Sequence, residues 1–143
     1  MPRQKHIGTT LIGLALSVVT GAAPADVVAV VSAKSAVTAL SRNQVADIFL
    51  GKTARFPNGS PAVPIDQAEA SAAREAFYTQ FTGKSAVQMK AHWSKIIFTG
   101  RGKPPKAVAN GVEARTLIAA NPQAIGYIER ASVDGSVKVL PQQ

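Results

Sequence analysis

Ile65-Asp66-Gln67-Ala68-Glu69-Ala70-Ser71-Ala72-Ala73-Arg74-Glu75-Ala76-Phe77 reads as the end of a strand, a short loop of small residues and a helix opening at Ser71. A helix N-terminus offers backbone N–H groups without intrahelical acceptors and the positive end of a dipole, so it suits an anion. Ser71 is expected to cap the helix and to offer its hydroxyl. Arg74, in the first turn, carries a planar fork matched to oxyanions.

The same strand-then-helix grammar extends on both sides. Val27-Val28-Ala29-Val30-Val31 is a continuous apolar run, the pattern of a strand buried on both faces. Ser41 and Gln44 form a capping box, with Leu40 and Val45 as a hydrophobic staple, for a helix that Gly51 stops. Pro57-Asn58-Gly59 is a turn. Ala62 to Ile65 reads as a short strand, and Pro64 points to an edge or a strand end. The helix from Ser71 carries Ala72, Ala76, Tyr78 and Phe81 and ends at Gly83. A second capping box, Ser85 with Gln88, opens a helix with Met89, Trp93, Ile96 and Ile97 on one face. A basic loop follows, from Thr99 to Lys106. Asn110 and Glu113 start another helix, which Asn121-Pro122 ends. Ala124 to Ile128 and Val137 to Leu140 read as strands. Strands alternating with helices predict an α/β layer fold.

The first 25 residues have a different character. Arg3 and Lys5 precede an apolar run from Ile7 to Val19, and Ala23-Pro24-Ala25 supplies small residues in an A-x-A pattern. This is the layout of a signal peptide cleaved before Asp26, with an uncleaved anchor as the alternative. Residues 26–143 then form one exported, periplasmic domain. There is no Cys, so stability must come from packing. The net charge of +8 favours anionic ligands or surfaces, and export makes nucleic acid an unsuitable partner.

An enzyme is the least supported class. His92 is the sole His outside the leader, so neither a nucleophilic triad nor a multi-His metal site can be assembled, and no cofactor is expected. His92 reads as structural. Asp66 reads as ordering its loop by accepting backbone N–H bonds. The Trp93 stripe reads as core rather than as a sugar platform. Tyr127 reads equally as core or as cleft lining. The basic loop, with Gly100, Arg101, Gly102 and Lys103, either meets an anion or is simply solvated.

Taken in order, these segments resemble the phosphate-binding proteins of ABC-type phosphate transporters. Leu40-Ser41-x-x-Gln44-Val45-Ala46-Asp47-Ile48-Phe49-Leu50-Gly51-Lys52 is similar to one family segment. Glu69-Ala70-Ser71-Ala72-Ala73-Arg74-Glu75-Ala76-Phe77 lies along the family's Glu-Gly-Ser-Gly-Thr-Arg-Glu-x-Phe motif, whose Ser-Gly-Thr holds phosphate at a helix start. Gly100-Arg101-Gly102-Lys103 looks like its Gly-rich loop, and Gln123-Ala124-Ile125-Gly126-Tyr127 like its Gly-x-Ile-Gly-Tyr strand. The likeness spans roughly Val27 to Val133. The departures are Ala70 and Ala72 at the motif's glycines and Ala73 at its threonine, which removes a hydroxyl and adds methyls near the backbone. The family has two lobes. This chain has length for about one, and the family's other phosphate-contacting loop has no counterpart.

The resemblance implies a single periplasmic-binding-protein-like lobe, a mixed sheet flanked by helices. It implies a solute-binding-like domain for phosphate or a similar oxyanion, in ABC-type uptake or sensing. Ser71, Ala72, Arg74, Arg101 and Gly102 would be at the ligand, and an ABC permease or a periplasmic protein would be the partner. The alternative is a non-transport interaction module, or a homodimer, that keeps the fold but has lost much of the anion site.

Overall fold

The computed structural model describes residues 26–142, together with residues 13, 15 and 17. Apart from those three, the expected signal peptide over residues 1–25 lies outside the described residues. No helix among the described residues is long and apolar enough to cross a membrane.

Five strands form one sheet: β1 (Val27–Ser32), β2 (Val63–Gln67), β3 (Lys106–Val108), β4 (Ala124–Glu129) and β5 (Val137–Val139), in the order β3-β2-β4-β1-β5. The sheet is mixed. β2 runs parallel to β3 and β4, whereas β1 is antiparallel to β4 and β5. Helices α1 (Arg42–Phe49), α2 (Ala72–Thr82) and α3 (Ala86–Phe98) contribute to one core, and α4 (Gly111–Ala120) builds the other. The alternation of β1 explains its unbroken apolar run. Val27, Ala29 and Val31 face the first core, and Val28 and Val30 face the second.

Both expected capping boxes are present, at Ser41–Gln44 and Ser85–Gln88, and Asn110 Oδ1 accepts the Glu113 amide. Pro64 sits near the start of β2, before the pairing with β3 begins at Ile65, so its missing N–H breaks no bond there. Three differences stand out. β3 lies where the basic loop ends, a three-residue edge strand too short to leave a period. On α2 it is Ala73, with Phe77, Tyr78 and Phe81, that is buried, while Ala72 is exposed. On α3, Met89 and Trp93 are buried but Ile97 is 54% exposed.

The first core is largely aromatic. Phe77 stacks on Tyr127 with ring centroids 4.1 Å apart and meets Phe49 edge-on at 4.7 Å. A Cβ at Gly126 of β4 would press on the Ile118 side chain of the second core and approach the Ile65 carbonyl. Gly51 ends α1 at φ 75°, and a Cβ there would lie 2.8 Å from the Trp93 ring. Gly51→Ala is therefore expected to destabilise the protein by about 1–3 kcal/mol through left-handed strain and overpacking. The checks are the denaturation midpoint and the emission of Trp93, the chain's one tryptophan. An unchanged midpoint would show that the ring moves aside without cost.

Candidate anion-binding site

The end of β2 is organised by a buried carboxylate. Asp66 is 4% exposed and accepts the hydroxyls of Tyr78 at 2.6 Å and Tyr127 at 2.5 Å. It also accepts one backbone N–H, from Gln67, at 2.8 Å. Nε of Arg74 lies 3.6 Å from the same carboxylate, with the guanidinium 5.0 Å from the Tyr78 ring centroid. Asp66 thus accepts a backbone N–H as expected, but its principal partners are two phenols and a cation. Tyr127 is fully buried and belongs to the core. Burial first, and then the adjacent Asp66 charge, push both phenols above the usual tyrosine range.

Gln67, buried beside Asp66, joins this cluster to the helix starts. Its Nε2 donates to the Tyr127 carbonyl at 2.9 Å, and its Oε1 accepts the Ser71 hydroxyl at 2.8 Å. Ser71 stands at the N-cap position of α2, but its side chain makes no capping bond there. The Arg74 amide turns back to the Ser71 carbonyl, leaving those of Ala72 and Ala73 with no acceptor among the described residues.

A cavity of ≈370 Å³ opens at this point. Ser71, Ala72 and Ala73 line one side, and Asn110, Gly111 and Val112 at the start of α4 line the other. Both helices begin just beyond the C-terminal ends of parallel strands, β2 and β3, the position at which open α/β sheets place ligands. Gln67 lies between them, with Nε2 3.8 Å from where a Gly111 Cβ would be. Among the described residues, the lining includes one carboxylate, Glu129, and no cation.

Of the residues expected at the ligand, the structure brings Ser71 and Ala72 to this cavity. Arg74 is turned inward to Asp66, its side chain 13% exposed. Arg101 and Gly102 are at the other end of β2, lining a groove with Val63 and Pro64. The α4 start and Gln67 were not singled out for the site. The Asn110 cap was legible as a helix start, but only the pairing of β3 with β2 sets it beside Ser71. His92 makes its contact from Nε2 to the Leu50 carbonyl at 2.8 Å, a structural role. Among the described residues, no cluster of three His, Cys, Asp or Glu side chains could hold a metal ion.

Solved structures share this fold. A candidate phosphate ABC transporter substrate-binding protein from Clostridium perfringens, solved with bound phosphate, is 21% identical at a TM-score of 0.65, over 82% of this chain and 45% of that one. An ABC-type phosphate transport receptor from Vibrio cholerae is 23% identical at 0.65, over 82% and 46%. PstS from Borrelia burgdorferi is 13% identical at 0.63, over 83% and 47%. The chain therefore has the fold of these phosphate-transport substrate-binding proteins and spans under half of their length. No protein-family model matches the chain, and no curated protein is significantly similar to it.

The raised phenols make a test of the Asp66 cluster. Both of the chain's tyrosines bind Asp66, so the folded protein should show no tyrosinate absorbance near pH 10, where the unfolded chain ionises. The unfolded state then binds fewer protons than the native one, so stability is intact below about pH 10 and falls above it by about 1.4 kcal/mol per pH unit for each phenol. Tyrosinate appearing in a still-folded protein near pH 10 would contradict the cluster.

Proposed function

We propose that this protein binds phosphate or a similar small oxyanion in the cavity between the α2 and α4 starts. The observation that carries the reading is the convergence of two helix N-termini on one cavity, with the amides of Ala72 and Ala73 lacking acceptors among the described residues. Oriented amides and dipole ends favour a compact anion there without a full counter-charge. The fold shared with phosphate-transport receptors supports the same ligand class. The reading is one of binding rather than chemistry. Residues 1–25 would act as a signal peptide, residues 26–143 would be the periplasmic domain, and an ABC permease would be the partner in uptake or sensing. Ser71 and Ala72 would meet the anion through the backbone of their turn. Arg74 would support it indirectly by holding Asp66.

Phosphate is expected to raise the thermal midpoint, with the shift growing as the logarithm of its concentration above Kd and reaching about 2.7 kcal/mol of stability at about 100 times Kd. Potassium chloride at equal ionic strength should not. Ala72→Glu sets a carboxylate at the cavity and should abolish the shift while leaving the fold intact, because an acidic side chain in the first helical turn is favourable. Absence of a phosphate-specific shift at millimolar ligand, or an equal shift in Ala72→Glu, would refute the reading.

One observation favours an interaction module as the second reading. A groove of ≈500 Å³ runs along edge strand β3 and α4, past Val108, Leu117 and Val112, the last 61% exposed. An open strand edge beside an apolar groove suits strand addition by another chain. Its homodimer form predicts a concentration-dependent sedimentation coefficient. A single monomeric species with and without phosphate excludes that form.

A further inference from the structure

The basic loop that lies away from the Ser71 cavity forms a groove of its own. Its ≈380 Å³ are lined by Arg101, Lys103 and Lys106 together with Trp93 and Ile96 of α3. Ile48, Ala62 and Val63 make an apolar floor. No Asp or Glu lines it. The wider segment is equally one-sided, since no acidic residue occurs from Ala76 to Val112. Arg101, Lys103 and Lys106 are exposed, and none makes an ion pair or a side-chain hydrogen bond among the described residues. Pro104 and Pro105 stiffen the loop between the cations.

Trp93 lines the groove from α3. Its Nε1–H is buried and has no hydrogen-bond partner among the described residues. The groove thus combines an apolar floor with uncompensated cations. Bare inorganic phosphate would use the cations but not the floor. A neutral apolar molecule would use the floor but not the cations.

We propose that this groove is a second ligand site, separate from the Ser71 cavity, for a small amphiphilic anion: an apolar chain or ring ending in a carboxylate or a phosphate monoester. The volume falls within the usual range for small-molecule sites. The apolar body would lie on Ile48, Ala62, Val63 and Ile96, and the anionic head would face Arg101 and Lys103.

Trp93 is the chain's one tryptophan, so its emission reports directly on the groove. The experiment titrates the protein with octanoate, with octanol and inorganic phosphate as controls, and follows that emission. Octanoate is expected to give a saturable change that weakens with salt. Octanol and phosphate should each bind at least about tenfold more weakly, and the double variant Arg101→Glu with Lys103→Glu should weaken octanoate by about tenfold or more. Both positions are exposed, and an unchanged circular dichroism spectrum would show that the variant is folded. The same variant should keep any phosphate-induced thermal shift arising at the Ser71 cavity, which separates the two sites. The proposal is overturned by no saturable response to octanoate, by octanol binding equally well, by phosphate alone saturating the same signal with equal affinity, or by undiminished octanoate binding in the folded double variant.

Discussion

A single buried carboxylate ties this lobe together. Asp66 stands at the end of β2, Arg74 and Tyr78 come from α2, and Tyr127 comes from β4. An unpaired carboxylate at that depth would cost several kcal/mol, so the three partners are a condition for the fold rather than an addition to it. They also fix α2 in rotation and along its axis. With Tyr78 and Arg74 both bound to Asp66, Phe77 is directed onto the Tyr127 ring, where it stacks at 4.1 Å. The aromatic core and the position of the α2 N-terminus therefore follow from one set of hydrogen bonds.

This arrangement decides which groups face the cavity. Arg74, turned to Asp66, cannot face the cavity without leaving a buried charge unpaired. The hydroxyl of Ser71 is likewise given to Gln67. What the cavity offers an anion is backbone: the α2 and α4 starts, each worth roughly half an elementary charge at its end. Glu129 at the lining opposes part of that. A site of oriented amides with no cation discriminates by size and acceptor geometry more than by charge.

Most of the architecture was legible because its signals are local. Capping boxes at Ser41 and Ser85, the glycine stops at Gly51 and Gly83, and the apolar run of β1 each identify an element without reference to the rest of the chain. The order of motifs then pointed to the lobe. The site was less legible, because it depends on pairings distant in sequence. Nothing in Asn110-Gly111 signals a neighbour of Ser71 until β3 is placed beside β2, and β3 is too short to announce itself. Arg74 was readable as an anion ligand because its spacing from Ser71 was visible, whereas its competing partner Asp66 is visible as one only once the turn is folded. The same holds for Ser71, whose hydroxyl had an unseen acceptor in Gln67.

The separation of Ser71 from Arg101 has an energetic consequence. Their two regions flank opposite ends of β2, and the strand from Val63 to Gln67 spans about 13 Å at the usual rise per residue. The Debye length at physiological ionic strength is about 8 Å, and both regions are open to solvent, so the cations of the basic loop contribute little to an anion held at the helix starts. They can raise the encounter rate of anions with the molecule, but they cannot hold one in the Ser71 cavity. Under the proposed reading, binding strength there would come from the amides of α2 and α4. The positive charge of the loop is then unspent by that cavity, and the apolar floor beside it is the feature that makes the charge selective.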